Sequence, residues 1–286
     1  MSDIPSRFEK HIEIKSSVDA VAVDLLAAET GLSKQMVKQV MQKGAVWLSK
    51  GKKTQRLRRA KKTLKVGETL HIYYDITVLD RVPPEPELIA DEGRYSVWNK
   101  PYGMLSQGSK WGDHCTITRW AEQHLKPQRV SFVVHRLDRA ANGLIIIGHE
   151  KGAAAALSRL FQQRRVDKHY RIIVHGKFSD EATLDNPVRV DTDIDGRSAV
   201  SYFSLINYDG ERDRSLLEVT IETGRKHQIR RHISEIGFPV VGDRLHGIEG
   251  DKEDLQLMAY YLAFECPYSH TRKEFNVLIE SLTHAQ

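Results

Sequence analysis

The 286-residue sequence predicts an α+β protein: a mixed, largely antiparallel sheet in its larger C-terminal part, preceded by a small α/β domain. The cluster VPPEPE at Pro83, Pro84 and Pro86 cannot continue a helix and suits no central strand. It divides the chain into residues 1–80, a linker at 81–87 and residues 88–286. Downstream of that break, short apolar runs outnumber helical stretches, which favours hairpins over strand–helix–strand units. Upstream, two helical stretches and two short strands surround a cationic loop.

Along the chain, Val18 to Glu29 has apolar residues at helical spacing, and Ser33 opens a second helix, SKQMVKQVMQKG, that Gly44 closes. AVWL and VGETLHIYY read as strands on either side of residues 50–65, a loop with nine Lys and Arg and no acid. In the larger part, YSVWNK, SFVV, LIIIG, YRIIVHG, AVSYFSLINY, SLLEVTIET and KEFNVLIE read as strands. GAAAALSRLFQQRR and HQIRRHISEIG read as helices, each with an apolar stripe and a basic end.

Hydrophobic residues make up 40% and charged residues 28% of the chain, an ordinary globular composition that excludes a disordered or membrane-embedded protein. No apolar run approaches the roughly 20 residues that span a bilayer, and the first fifteen residues do not read as a signal peptide. A soluble, cytoplasmic, monomeric protein is expected. Two cysteines, Cys115 and Cys266, are too few for a disulfide framework or a four-thiolate zinc site, and the adjacent His114 and Cys115 lack the spacing of a chelating pair. No metal is expected. The formal charge is +5, but residues 1–80 hold 15 Lys and Arg against 9 Asp and Glu, so the excess belongs to the N-terminal part and points to an anionic partner there. Nine cations in one loop repel one another unless a polyanion or salt relieves them.

The stretch SFVVHRLDRAANGLIIIG places His135-Arg136-Leu137-Asp138 between two apolar strands, with Asn142-Gly143 supplying the positive-φ positions of a tight connection. Taken alone, Asp138 reads as a turn former and Arg136 as its salt-bridge partner. Two further segments change that balance. Lys168-His169-Tyr170 opens a strand after a helix, and Gly224-Arg225-Lys226-His227-Gln228-Ile229-Arg230 precedes a helix and then PVVGDRLHG. Together they supply an acid, an aromatic ring and a cationic helix start.

These segments resemble the RluA family of pseudouridine synthases over about residues 88–280. The family's hallmarks are His-Arg-Leu-Asp, then Lys-x-Tyr, then Gly-Arg-x-His-Gln-Ile-Arg, with Asn99-Lys100-Pro101-x-Gly103 and Pro239-Val240-Val241-Gly242-Asp243 fitting its first and last motifs. Ala141-Asn142 stand where the family usually has Thr-Ser, and Lys226 where Thr is common. Residues 16–76 resemble the S-four type RNA-binding domain through Leu32, Ser33, Lys34 and Val37, Gly44 and Val46, and Lys65-Val66-Gly67-Glu68, although Leu48-Ser49-Lys50 replace the usual Val-Asn-Gly.

The resemblance implies an RNA pseudouridine synthase acting on ribosomal or transfer RNA without a cofactor, with ribosomal RNA favoured by the added RNA-binding domain. It implies Asp138 as the essential carboxylate, Tyr170 as the ring that stacks on the flipped uracil and Arg230 as the partner of the carboxylate. RNA contacts are expected from Lys34, Lys38, Lys52, Lys53, Arg56, Arg58, Arg59, Lys61 and Lys62 in the small domain. In the large one they are expected from Lys100, Arg136, Arg225 and His227. Ordinary packing for Tyr170 and helix capping for Arg225 and His227 remain open on the residues alone. So do two other functions: a hydrolase releasing free uracil, for which Asp167 or Asp243 would have to activate water, and a catalytically inactive RNA-binding factor.

Overall fold

The computed structural model describes residues 4–15 and 20–277. Residues 16–19, which include the predicted helix start at Val18, and the last three residues of the predicted strand KEFNVLIE lie outside the described residues. The chain forms two compact units, one of Met1–Pro83 with Gln107–Gln123 and one of Pro84–Ser106 with His124–Gln286. The first boundary falls inside VPPEPE, but residues 107–123, assigned from the sequence to the larger domain, pack in the smaller unit.

The small unit comprises β1 (Arg7–Glu13), α1 (Ala22–Thr30), α2 (Lys34–Gln42), β2 (Val46–Lys50), β3 (Lys53–Arg56), β4 (Glu68–Asp75), α3 (Ile76–Leu79) and α4 (Ile117–His124), which closes it. Its sheet runs β1-β4-β2-β3, antiparallel throughout. Alternation in β4 sends Leu70 and Ile72 to a core shared with Leu26 of α1 and Val37, Val40 and Met41 of α2. The Ser33 Oγ accepts from Met36 N at 3.1 Å and starts α2 as its spacing predicts. The predicted basic loop is in part the strand β3, because Trp47 pairs with Arg56 and Ser49 with Thr54.

Residues 107–113 belong to this unit for specific reasons. Trp47 Nε1 donates to Lys110 O at 3.1 Å, Arg56 Nη2 donates to Ser109 O at 2.7 Å, and Trp111 meets the Tyr73 ring edge-on at 5.8 Å. Asp113 is gripped by both Arg56 and Arg58. Gly44 lies so close that a Cβ there would sit 2.3 Å from Asp113 Oδ1.

The large unit contains β5 (Glu87–Asp91), β6 (Tyr95–Lys100), β7 (Phe132–Val133), β8 (Asn142–Gly148), α5 (Lys151–Gln162), β9 (Val166–His175), β10 (Val188–Val190), β11 (Ser201–Asp209), β12 (Arg214–Ile221), α6 (Gln228–Glu235), β13 (Leu257–Glu265) and β14 (Arg272–Asn276). The strand path is β10-β11-β12-β9-β13-β8-β6-β5, with β14 on β13 and β7 on β8. Only β13 and β8 pair in parallel among the described strands, so the sheet is mixed and largely antiparallel. The sequence pattern marks no strand at β13, whose apolar run LMAYYLAFE lacks alternation because both faces are covered along much of its length. No helix among the described residues is long and apolar enough to cross a membrane.

Asn142-Gly143 is not the two-residue positive-φ turn the sequence suggests. Only Gly143 has positive φ, at 109°, and both residues begin β8. Glycine is required there by close approach, since a Cβ would lie 2.2 Å from Ala259 O on β13. Gly143→Ala is therefore expected to destabilise the protein by on the order of 2–4 kcal/mol, read from urea unfolding, against near-neutrality if β13 can retreat.

Candidate active site

The turn between β7 and β8 carries Asp138 and is held on both sides. Ser106 Oγ donates to Leu137 O at 2.7 Å and accepts from Leu137 N at 3.0 Å, and Gly103 N donates to Arg139 O at 2.9 Å. The Lys100 ammonium, with no exposed surface, donates to Pro101 O and Met104 O at 3.0 Å and to Ala141 O at 2.5 Å. Lys100 was expected to meet RNA; it is a buried brace of the Asp138 turn instead. Burial pushes its pKa down to about 7, with the Asp138 charge pulling the other way. Nothing in an Asn-Lys-Pro string distinguishes a surface lysine from one that folds back onto carbonyls.

Asp138 Oδ2 accepts from Arg230 Nη1 at 3.0 Å and lies 3.7 Å from His227 Nε2. Arg230 reaches this point from α6 and is 4% exposed, while its Nε and Nη2 donate to Asp243 at 2.7 and 2.5 Å. Asp243 also accepts from Leu245 N and His246 N. Burial alone would push the Asp243 carboxyl up; these donors outweigh it and hold the group below the usual carboxylate range. Arg230 is a guanidinium shared by two carboxylates, one locked and one facing a pocket. The lock disposes of Asp243 as a water activator, and Asp167 is paired with Arg272 at 2.8 Å on the face of β9 opposite Tyr170.

The pocket has a volume of about 110 Å³ and is walled by Tyr170, Ile221 and Leu257 on its apolar side and by Asp138, Arg136 and His227 on its polar side. Tyr170 is 9% exposed and faces inward because β9 alternates. Burial, reinforced by the Asp138 charge, pushes its phenol pKa up. The site thus joins a carboxylate, a flat apolar ring and a fixed guanidinium around a cavity open to solvent. Such a set can stack a planar base and present an oxygen nucleophile or a charge to an atom beside it.

Over residues 94–235 the chain matches the family model for RNA pseudouridylate synthases, a span that holds Asp138, Tyr170 and Arg230. It is 30% identical over 205 residues to the dual-specificity RNA pseudouridine synthase RluA of Vibrio parahaemolyticus, covering 65% of this chain and 80% of that one. The chain belongs to the RluA family of RNA pseudouridine synthases. An uncharacterised RNA pseudouridine synthase of Chloroflexus aurantiacus is 34% identical over 62% of this chain, which spans only 60% of that relative's length. The fold agrees with the solved human RNA pseudouridylate synthase domain containing 1, at TM-score 0.57 and 21% identity over 71% of this chain and 89% of that one. The family is one of isomerases.

Within this family member, Arg136 is exposed and lines the pocket. Arg225 Nε is bound to Ser198 O at 3.0 Å, and Arg225 N donates to the Gln228 side chain at 3.0 Å, so Arg225 is tied to the turn before α6, and the His227 side chain makes no capping bond. His246, which has no counterpart among the residues singled out from the sequence, hydrogen-bonds His227; PVVGDRLHG offers no spacing that marks it.

In the small unit, Lys38, Lys52, Lys53, Arg59 and Lys61 are exposed, Lys62 is half-buried, and Lys34 pairs with Asp24 at 2.6 Å. Arg56 and Arg58 correct the reading of the basic loop. Their acid, Asp113, lies more than fifty residues away, and Arg56 also donates to Gly44 O and Ser109 O and Arg58 to Gln42 O. A charge run read locally cannot show such a counterion.

His135 behaves differently from its neighbours in the motif. It stacks on Phe161 at 4.2 Å and accepts from Ile146 N at 3.0 Å, and burial pushes its pKa down to about 3. A base depressed in the folded state is protonated first in the unfolded chain, so its contribution is intact above pH 6.5 and lost as pH falls toward 3. His135→Gln is expected to remove roughly 2–3 kcal/mol of the stability difference between pH 7 and pH 4.5 in paired unfolding titrations.

Proposed function

We propose that the protein isomerises specific uridines in structured RNA to pseudouridine, on ribosomal RNA in preference to transfer RNA. The observation that carries this reading is the Asp138 carboxylate, 3.0 Å from a buried Arg230 and aimed into a pocket that Tyr170 lines. The reaction breaks the bond from ribose C1′ to uracil N1, turns the base and joins C1′ to C5. Asp138 serves either by attacking C1′ or by stabilising the sugar as the bond breaks, and Arg230 Nη1 holds its Oδ2 in position at 3.0 Å. A pocket of this size takes a base only after it leaves its stack, which costs a few kcal/mol. Stacking on Tyr170 returns roughly 1–3 kcal/mol of that.

The preference for ribosomal RNA rests on the small unit. Its exposed Lys38, Lys52, Lys53, Arg59 and Lys61 form a cationic surface suited to an extended, folded RNA. Transfer RNA is kept as the second substrate because a 28% identical relative of Vibrio parahaemolyticus is named tRNA pseudouridine synthase C.

The test is to incubate the protein with large-subunit ribosomal RNA and transfer RNA transcripts, without cofactor, and to chromatograph the digested nucleosides. Pseudouridine in the ribosomal transcript at the higher rate is expected. Free uracil instead would convert the reading to a hydrolase, and neither product would reject it. Binding should weaken with salt, and neutralising Lys52, Lys53 and Lys61 together should flatten the slope of log affinity against log salt by about 0.7–0.9 for each phosphate no longer neutralised.

A further inference from the structure

His227 is the residue before α6 and holds φ 55° and ψ 27°, the left-handed region that few non-glycine residues occupy. A backbone outlier kept in place by its surroundings is a reason to look for function in the side chain it displays. That side chain lines the pocket with Asp138 and Tyr170. Its Nδ1 lies 3.1 Å from His246 Nε2. Its Nε2 faces Asp138 Oδ2 at 3.7 Å, beyond hydrogen-bond reach, and has no hydrogen bond among the described residues. His246 is fixed in turn, its N donating to Asp243 Oδ1 at 3.1 Å and its carbonyl accepting from Ser234 Oγ at 2.6 Å. When His227 donates from Nδ1 to the ring of this residue, whose backbone is anchored, the lone pair of Nε2 points toward the pocket.

The chemistry leaves a task unassigned. Uracil C5 begins with a hydrogen and ends with the sugar in its place, so a proton must leave C5 after the new carbon–carbon bond forms. Arg230 cannot accept one, and Asp138, released from the sugar by then, has its Oδ2 tied to Arg230 Nη1 at 3.0 Å, while a carboxylate is ordinarily a weaker base than an imidazole. We propose that His227 is a catalytic residue of the isomerisation, its Nε2 removing the C5 proton while His246 holds the imidazole for that transfer. This rests on the reading of the protein as a pseudouridine synthase. The C5–H electron pair becomes the C5–C6 double bond, the former C6–N1 π pair moves to N1, and N1 takes up a proton. The imidazole, briefly an imidazolium beside Asp138, returns to neutral.

Asp138, Arg230, His246 and Lys226 face His227, and Asp243 and Arg231 also face His246. Burial pushes both imidazoles below their ordinary pKa, so both are neutral near pH 7 and able to accept a proton.

The test uses the full-length protein in single-turnover reactions with large-subunit ribosomal RNA and transfer RNA transcripts carrying tritium or deuterium at uridine C5. In His227→Gln, tritium release at saturating enzyme is expected to fall by about 10²–10⁴-fold, with RNA affinity and melting temperature retained. The variant should also slow several-fold further on 5-deuterated RNA, which the wild type converts at nearly the protiated rate. His246→Gln, which leaves His227 in place, should displace the acid limb of the pH–rate profile, and it carries the test if the first variant does not fold. Wild-type tritium release by His227→Gln, slowing without an isotope effect, or a loss explained by weaker RNA binding would overturn the assignment. Wild-type protein that releases no tritium would overturn the proposed reaction itself.

Discussion

Replacing Asp138 by Asn is expected to lower pseudouridine formation by roughly 10³-fold or more while leaving RNA affinity within about a factor of three. The amide is nearly the same shape, and its oxygen can still accept from Arg230 Nη1, so the turn held by Ser106 and Lys100 keeps its place. What disappears is the negative charge and the nucleophilic oxygen beside the sugar. Because the carboxylate is half-exposed rather than locked, its removal leaves only part of Arg230's charge uncompensated, and unfolding midpoints should barely move. Nucleoside chromatography, gel-shift titration and a thermal melt on the same preparation separate these three quantities. An active Asn variant would reduce Asp138 to a turn residue.

Asp243→Ala should do the reverse to stability. Asp243 has no exposed side-chain surface and carries two of Arg230's three hydrogen bonds, so its loss strands a buried guanidinium. Breaking a buried pair from one side costs about 3–5 kcal/mol, whereas removing both partners costs less. The single variant should therefore unfold at markedly lower urea concentration, and Asp243→Ala with Arg230→Met should recover part of the loss. Both should be inactive, the single variant because Arg230 is no longer held in place behind Asp138 and the double variant because the guanidinium is gone. Equal stability of the single and double variants would mean that the network relaxes around the charge.

The readable parts of this protein are those where local order and tertiary role coincide. Ser33 caps α2 because the hydroxyl needs only the next turn of chain, and Tyr170 faces inward because β9 alternates. Asp138 and Arg230 are legible as a pair only through motif order, because 92 residues separate them. The unreadable parts depend on partners distant in sequence and unmarked by any motif. Lys100 looks like a surface cation until the carbonyls of Met104 and Ala141 close over it. Arg56 and Arg58 look like RNA contacts until Asp113 arrives from beyond the proline cluster. β13 hides for another reason: a strand covered on both faces loses the period-two signal that identifies a half-exposed one.

That excursion of residues 107–123 has a practical consequence for anyone cutting the gene. A truncation at Pro84 would not excise one module cleanly. It would leave Trp111, Asp113 and the buried Ile117 in the remaining polypeptide, shorn of the sheet and arginines that cover them. Chimaeras that exchange the small unit between homologues must exchange both pieces of chain together.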